Sequence, residues 1–164
     1  KIKELEPEVI EAWEKLKNVG GIAPKINPED LVFIGVRDTE ESEDYVIANN
    51  SIYNVSVEYV RRNGVENVSA EVLDYLKECD ILYLSFDVDS MDCDLVSYGT
   101  GTPVSNGITE QEASGLINHF LIDKRVGCFE VVEINPCLDN KQNKMAETAF
   151  RILENATSII EKRG

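Results

Sequence analysis

The chain is poor in the features that would place it on nucleic acid or in a membrane. Its 164 residues contain 16 lysines and arginines against 31 aspartates and glutamates, a formal net charge of −15. Binding to a phosphate backbone needs a basic surface, so this charge excludes a nucleic-acid partner. No apolar run approaches the roughly 18 residues that span a bilayer, so we expect no membrane role.

Histidine and closely spaced cysteines are also scarce. The single histidine is His119, and the four cysteines show no CxxC spacing (Cys79, Cys93, Cys128 and Cys137). Three of the four lie in or beside apolar segments, as reduced buried thiols do. Together with the lack of a signal-like N-terminus, this favours a cytoplasmic protein.

Hydrophobic periodicity predicts alternating helices and strands within a single domain at 1–164. Apolar residues at helical spacing predict helices near 7–18, 69–76, 109–120 and 143–161, with a further short helix ending near Asn49 and Asn50. Buried strands are predicted at 31–36, 52–57, 81–88 and 127–134. Ser69 and a capping box at Thr109 would begin two of the helices. This alternation is typical of an α/β fold with three α-β-α layers and a mostly parallel sheet.

Acidic residues lie after the first predicted strand, at the end of the third and within the fourth, and ligands bind at the carboxyl ends of strands in parallel α/β sheets. They lie in 37–43, in "SFDVDSMD" at 85–92 and in 130–133. Asp87 and Asp89 are two residues apart, so in extended backbone both side chains leave from the same face. Adjacent carboxylates repel unless a cation lies between them, and Mg²⁺ or Mn²⁺ prefers such oxygen ligands. The alternative is a turn whose backbone amides bind the same side chains.

A loop rich in glycine and threonine follows the acidic pair. "GTGTP" at 99–103, with Thr109 opening a helix soon after, gives a tight loop whose glycines let backbone approach a ligand. A plain connector is the alternative interpretation. The fourth predicted strand then ends in "EINP", which places Glu133 near the same crevice.

These three segments, in this order, resemble the ureohydrolase family of arginases, agmatinases and their relatives. "SFDVDSMD", "GTGTPVSNGIT" and "VVEINP" are similar to motifs of its C-terminal half, and "NPEDLVFIGVRDTEESE" is similar to an arginase segment that leads to the substrate amino group. The resemblance covers nearly the whole chain. It implies an arginase-like fold that lacks its N-terminal half.

The resemblance also implies a chemistry and a set of site residues. Members of the family use two manganese ions to activate water for attack on a guanidinium carbon, releasing urea. By motif, Asp87 and Asp89 would be metal ligands, Glu133 would pair with the substrate guanidinium and Thr102 would line the pocket. A carboxylate suits a guanidinium because the planar fork favours bidentate pairing.

The acidic segment after the first strand helps to choose the substrate in this family. Glu40 and Glu43 would meet the α-amino group of L-arginine, which favours an arginase over an agmatinase or another enzyme for guanidino substrates. Glu40 stands where the family usually has Asp, and a solvated helix start is the alternative interpretation. Two further departures are Cys93 in place of a proline and Asn106 in place of a glycine.

The largest departure is the missing histidine half of the site. The family takes further metal ligands and a proton-shuttle histidine from its N-terminal half, whereas His119 lies between core positions and is expected to be structural. We therefore expect this chain alone to be inactive and the full-length protein to be an arginase. The family commonly forms trimers or hexamers, so we expect a homo-oligomer or association with the missing half.

Two other functions fit parts of the pattern. Phosphatases of the haloacid-dehalogenase type also place Asp-x-Asp after a strand, but usually after the first one and with Thr or Val where this chain has Met91. A truncated, non-catalytic domain that retains the scaffold is the other alternative. An upstream Asp-Ala-His-x-Asp motif would restore the enzyme.

Overall fold

The computed structural model of the chain describes residues 5–163, which form six α-helices and four short β-strands. In chain order they are α1 Pro7–Lys17, β1 Val32–Ile34, α2 Glu41–Asn49, β2 Tyr53–Val55, α3 Val57–Asn63, α4 Val65–Tyr75, β3 Leu82–Asp87, α5 Glu110–Ile122, β4 Val126–Val132 and α6 Lys144–Lys162. The predicted alternation of strands and helices is therefore present.

The strands form two parallel pairs. β1 pairs with β2, with Val32 opposite Tyr53, and β3 pairs with β4, with Asp87 opposite Val132. The parallel direction agrees with the prediction from sequence. Within residues 5–163, however, the hydrogen-bonded sheet is divided in two, and a cleft lies between β1 and β3.

The hydrophobic core lies between the strands and helices α3 to α6. Helix α5 packs against both α4 and α6, and Phe86 of β3 is buried in the same cluster. The predicted capping box begins α5: the Glu112 N–H donates to Thr109 Oγ1 at 3.1 Å, and the Thr109 N–H donates to the Glu112 carboxylate at 2.8 Å. These reciprocal bonds satisfy two of the donors that a helix start leaves free.

Other apolar surfaces remain uncovered in the described chain. Helix α1 buries none of its residues, and its Trp13 is 55% exposed. Tyr83 on β3 is 61% exposed, because the side of the strand that points away from Phe86 has no helix over it. An amphipathic helix and a sheet face of this kind need a partner surface to bury their apolar side chains.

The expected burial of the cysteines holds only in part. Cys93 is buried and Cys79 is partly buried, whereas Cys128 and Cys137 are exposed, and all four are free thiols. Cys128 lies in β4 among residues that are mostly apolar in sequence, but its side chain points to the side of the sheet that no helix covers. Cys128 is therefore exposed for the same reason as Tyr83, because no helix packs on that face of the sheet in the described chain.

The region after β2 differs from the prediction. Ser69 does not cap a helix, because it is buried within α4, which begins at Val65. Ser56 is the N-cap instead: its hydroxyl accepts from the Tyr59 N–H at 3.1 Å and begins α3, so β2 ends earlier than expected. Gly64, with φ of 79°, separates α3 from α4. That backbone conformation is accessible to glycine at little cost.

None of the helices between residues 5 and 163 has the length and apolarity needed to span a bilayer.

An arginine at the start of β4 ties α4 to the end of α5. The Arg125 guanidinium donates to the backbone carbonyls of Leu76 at 2.6 Å and Leu73 at 3.2 Å, and it contacts Asp123 at 2.8 Å. The hydrogen bond from Arg125 lowers the pKa of Asp123. Carbonyls in the last turn of a helix have no partner within the helix, so this side chain satisfies two of them.

We expect Arg125→Met to destabilise the fold by about 2 kcal/mol, since charge-assisted hydrogen bonds to carbonyls are lost while the apolar stem is kept. Urea unfolding followed by circular dichroism would measure the change. Lys124→Met, at the exposed neighbouring position, should leave the midpoint nearly unchanged. Equal midpoints for the two variants would show that the Arg125 bonds contribute little.

Candidate active site

The two aspartates predicted as metal ligands meet at the end of β3. Asp87 is the last residue of the strand, and Asp89 lies in a 3-10 turn at Val88–Ser90 rather than in extended backbone. The Asp89 N–H donates to Asp87 Oδ1 at 2.8 Å. The turn, and not the period of a strand, therefore brings the acids together. This geometry agrees with the turn interpretation, and metal binding by the pair stays a prediction.

One carboxylate oxygen of Asp89 accepts a hydrogen bond, and the other has no hydrogen-bond partner among the described residues. The Thr102 hydroxyl donates to Asp89 Oδ2, so the "GTGTP" loop reaches the acidic pair as expected. Asp89 Oδ1 is buried and has no hydrogen-bond partner among the described residues. A buried carboxylate oxygen without a partner is costly, and a bound cation would relieve that cost.

Glu133 lies beside the same loop. It follows β4 directly and has φ of 64°, a left-handed conformation that is unusual for a residue with a side chain. A Cβ placed on Gly101 would be 4.0 Å from Glu133 Oε2, and the Asn135 N–H donates to the Gly99 carbonyl at 2.8 Å. The bond from Asn135 anchors the end of β4 to the loop. Backbone strain of this kind is often found where a side chain must be aimed at a ligand.

The charged form of Asp87 is disfavoured at this site. Burial raises the pKa of Asp87, and repulsion from Asp89 and Glu133 adds to it, while the hydrogen bond from the Asp89 N–H opposes the shift. Repulsion between nearby acids disfavours their charged forms unless a cation is present. The electrostatics therefore agree with a site that is built to hold positive charge.

Arg37 was missed in the sequence analysis and is central to the site. It follows β1, and its guanidinium donates to five backbone carbonyls, those of Gly35, Asp89, Ser90, Met91 and Val104. The shortest bond, to Ser90, is 2.7 Å. Burial lowers the pKa of Arg37, and the charge of Asp92 opposes that shift. An arginine directly after a buried strand was the available signal.

The two small departures from the family pattern are accommodated in the loop. Asn106 has φ of 61°, and asparagine tolerates this left-handed region better than most residues with a side chain. Gly107 is required by close packing, because a Cβ there would be 2.4 Å from the Met91 carbonyl carbon. Cys93 is buried, and its N–H donates to the Val104 carbonyl at 3.4 Å.

The acidic segment after β1 begins helix α2. Glu40 and Glu43 are exposed, and the Glu43 carboxylate accepts from the Glu40 N–H at 2.8 Å in a capping box. The recorded bonds of these residues are within this helix start and do not reach Asp87 or Asp89. The structure thus brings together Asp87, Asp89, Thr102 and Glu133. Glu40 and Glu43, called the acidic rim below, lie at the start of α2, and their contact with a substrate stays a prediction.

His119 lies on α5 and faces α4. Its Nδ1 is 2.7 Å from the Gly115 carbonyl, and its Nε2 is 3.6 Å from Glu66 Oε1. Over residues 5–163 no three His, Cys, Asp or Glu side chains are arranged so that they could hold a metal ion. The acidic pair therefore offers two carboxylate ligands and needs others to complete a site.

Comparisons with known proteins place the chain among ureohydrolases. A sequence profile described as the arginase family matches residues 20–158. Arginase of Bacillus subtilis (strain 168) is 40% identical over 142 residues, which cover 86% of this chain and 47% of the relative. The chain therefore spans about half the length of the curated relatives that it matches.

Solved structures agree with the sequence comparison. The crystal structure of Helicobacter pylori arginase superposes with a TM-score of 0.85 at 32% identity, covering 97% of this chain and 52% of that one. A structure described as a hypothetical agmatinase from Burkholderia thailandensis has a TM-score of 0.69 at 23% identity, covering 93% and 44%, and shows likeness of fold alone. The arginase-like α/β fold expected from the sequence is confirmed.

The raised pKa of Asp87 predicts a definite pH dependence of stability in the presence of EDTA. Because burial favours the neutral acid in the folded state, its stabilising effect is complete below the unfolded pKa of about 3.9 and is lost as pH rises through the raised value. We expect Asp87→Asn to gain free energy of unfolding over the wild type as pH increases from about 4 to 7.

Asp123→Asn provides the control with the opposite sign. The bond from Arg125 lowers the pKa of Asp123, so its contribution is present above the unfolded pKa and is lost as pH falls through the folded one. This variant should be less stable than the wild type at pH 7 and approach it in acid. Urea unfolding across pH measures both. If the difference in free energy of unfolding between Asp87→Asn and the wild type did not change with pH, a raised pKa of Asp87 would be contradicted.

We expect Arg37→Lys to loosen the turn that carries Asp89, because an ammonium group has three donors and lacks the planar fork that contacts five carbonyls. Amide hydrogen exchange at Ser90 and Met91 should become about tenfold faster or more, for a loss of about 1.4 kcal/mol in local stability. Arg62→Lys, an exposed arginine on α3, is the matched control. Unchanged exchange in Arg37→Lys would refute the role of the fork.

Proposed function

The chain belongs to the arginase family, and we propose that it forms part of a manganese-dependent hydrolase that converts L-arginine to ornithine and urea. The convergence of Asp87, Asp89, Thr102 and Glu133 at the carboxyl ends of β3 and β4 carries this proposal. Asp89 Oδ1, which is buried and has no hydrogen-bond partner within residues 5–163, is the atom in this group that most needs a cation.

Asp87 and Asp89 fit a hard divalent cation as part of its ligand set. Both present carboxylate oxygens, the ligands that manganese and magnesium accept. Burial raises the pKa of Asp87, and the charges of Asp89 and Glu133, which a cation would balance, raise it further. The other ligands, and a histidine that shuttles protons, would come from polypeptide outside these 164 residues. We therefore expect the isolated chain to be inactive.

Each residue of the site has a separate task in the proposed reaction. Bound manganese would supply a Lewis acid and lower the pKa of water. Thr102 holds one oxygen of Asp89 by its hydroxyl and so orients the other. Glu133 would accept two hydrogen bonds from the substrate guanidinium, and its left-handed backbone aims the carboxylate beside Gly101.

The substrate choice rests on the acidic rim. Glu40 and Glu43 would contact the α-amino group of L-arginine from the start of α2. Agmatine or another guanidino compound is the second candidate substrate, because a structure described as a hypothetical agmatinase shares this fold. Comparing kcat/KM for L-arginine and agmatine decides between them.

The free thiols and the exposed apolar surfaces bear on the cellular location of the protein and on its association with other polypeptides. The four free thiols support a reducing, cytoplasmic location. The exposed apolar side of α1 and the uncovered face of β3 support association with more polypeptide, either in a homo-oligomer such as a trimer or hexamer or with the remaining half of the family fold.

Manganese binding tests the proposed metal ligands directly. Calorimetric titration of the 164-residue chain should show weak binding of Mn²⁺, because two carboxylates leave most of the ion to water. Asp87→Asn and Asp89→Asn should each abolish it. Asp74→Asn, an exposed carboxylate on α4, is the control that should bind like the wild type. Binding that survives in the double variant Asp87→Asn/Asp89→Asn would refute the assignment.

Urea release tests the proposed reaction. The chain alone should release no urea from L-arginine at an enzymatic rate, whereas its complex with the part of Bacillus subtilis arginase that it does not match should do so. In that complex Glu133→Gln should lower kcat/KM about 100-fold or more, because a charge-assisted pair is lost. Glu130→Gln, three residues earlier on β4, should have little effect. A well-folded, manganese-loaded complex without activity would favour a non-catalytic scaffold.

A further inference from the structure

The carboxylate of Asp139 accepts hydrogen bonds from two separate parts of the chain. Its Oδ2 accepts from the Ser97 hydroxyl at 2.8 Å and from the Met145 N–H at 2.9 Å. Its Oδ1 accepts from the Lys141 N–H at 2.7 Å. One side chain between β4 and α6 therefore joins the loop that follows β3 to the start of α6.

The same loop continues to the acidic pair. Thr102 lies five residues after Ser97 and donates its hydroxyl to Asp89 Oδ2. We propose that Asp139 is a positioning residue, which acts through Ser97 to hold the loop at 97–102 where the Thr102 hydroxyl meets Asp89. The inference rests on the function proposed above, because it concerns the same site, and it adds the residue that places the loop.

Helix α6 provides the fixed side of this contact. It has 19 residues, and its Met145, Ala149 and Ile152 are each 1% exposed. Asn143 at its N-cap has a left-handed backbone, and its side chain makes no capping bond among the described residues. Asp139 supplies such a bond to the Met145 N–H, and its negative charge is favourable at this end of a helix. A buried helix thus determines where the carboxylate lies.

Close packing restricts the loop beside this carboxylate. A Cβ placed on Gly99 would be 2.6 Å from Asp139 Oδ2 and 2.6 Å from Met145 Cβ, so a larger residue would force them apart. Ser97 and Thr100, which flank the glycine, are 0% and 1% exposed. The loop therefore lies against Asp139 as a buried segment.

Two further bonds attach the loop to the segment that contains Asp139. The Asn135 N–H donates to the Gly99 carbonyl at 2.8 Å, and the Tyr98 N–H donates to Asn140 Oδ1 at 3.0 Å. Together with the hydroxyl bond, they attach three consecutive residues of the loop. Hydrogen bonds to an ionised acceptor are stronger than neutral ones, so we expect the loss of Asp139 to loosen the loop most.

Two serines allow a matched test. Ser97→Ala removes the hydroxyl bond of the loop and leaves Asp139 with its two backbone donors. Ser85→Ala is the control, because Ser85 also donates to a carboxylate, that of Glu130, at 2.8 Å, and lies two residues before Asp87 on β3. Asp139→Asn is a second test variant, which keeps the size of the side chain but loses its charge and one acceptor oxygen.

The rotamer of Thr102 is the direct measurement. Three-bond couplings across its χ1, recorded by NMR on the metal-free 164-residue chain, should show one rotamer in the wild type and in Ser85→Ala. In Ser97→Ala and Asp139→Asn the population of that rotamer should fall about twofold or more, because the hydroxyl no longer stays on Asp89. A uniform loss of stability would not change the rotamer within the folded state.

Manganese affinity connects this position to the proposed site. In a calorimetric titration of the chain, Ser97→Ala and Asp139→Asn should bind Mn²⁺ about tenfold more weakly than Ser85→Ala, because Asp89 loses the bond that orients its other oxygen. Measurable binding that both test variants leave unchanged would overturn the inference.

Amide exchange in the wild type needs no variant to fold. The N–H groups of Tyr98 and Asn135 should exchange about as slowly as that of Met145, since the loop and the start of α6 would open as one unit. Exchange of Tyr98 and Asn135 at the rate of unprotected amides would contradict the attachment of the loop.

The remaining outcomes separate this inference from the proposed function. A single Thr102 rotamer in both test variants, or equal averaging in Ser85→Ala, would refute the role of Asp139. If Thr102 showed the expected rotamers while the wild type bound no Mn²⁺, the inference would be supported and only the proposed metal chemistry would be contradicted.

Discussion

The hydrogen bonds of the partly buried Arg37 guanidinium are the interactions on which the rest of the site depends. Moving a charged group out of water is costly unless it gains hydrogen bonds, and here the two terminal nitrogens donate to five backbone carbonyls, while Nε has no partner among the described residues. These carbonyls belong to the end of β1, the turn after β3 and the loop after "GTGTP". One side chain thus joins three segments that are distant in sequence, and it fixes the turn that carries Asp89.

The acids around this turn form a site that stays under strain until it gains positive charge. Asp89 and Glu133 repel the charged form of Asp87, one buried oxygen of Asp89 has no partner among the described residues, and Glu133 has a left-handed backbone. Arg37 donates hydrogen bonds to carbonyls rather than to these carboxylates, although the charges of Asp92 and Asp89 oppose the lowering of its pKa by burial. The same arrangement that is unfavourable in isolation is suited to a divalent cation and a guanidinium substrate.

Local signals in the sequence predicted most elements, and they were wrong where two signals compete. The capping box of Thr109 and the long apolar face of α6 were read correctly because their partners lie within one or two turns. Ser69 was mistaken for an N-cap although Ser56 has that role. Both are serines before apolar residues, and only packing of Val60 and Val68 against the core distinguishes them. The exposure of Cys128 has a similar origin, since an apolar neighbourhood in sequence does not reveal which face of a sheet is covered.

The sequence by itself determined the α/β class, the parallel direction of the strands, the membership suggested by three ordered motifs and the gathering of Asp87, Asp89, Thr102 and Glu133. Periodicity encodes the fold class and the strand direction, whereas the ordered motifs carry the family membership and indicated which side chains gather. Only the tertiary structure decided that the sheet divides between β1 and β3, and that Arg37 bridges the division. Edge pairing and buried charge depend on contacts between segments more than 50 residues apart along the chain, such as Arg37 and Ser90, which no local pattern specifies.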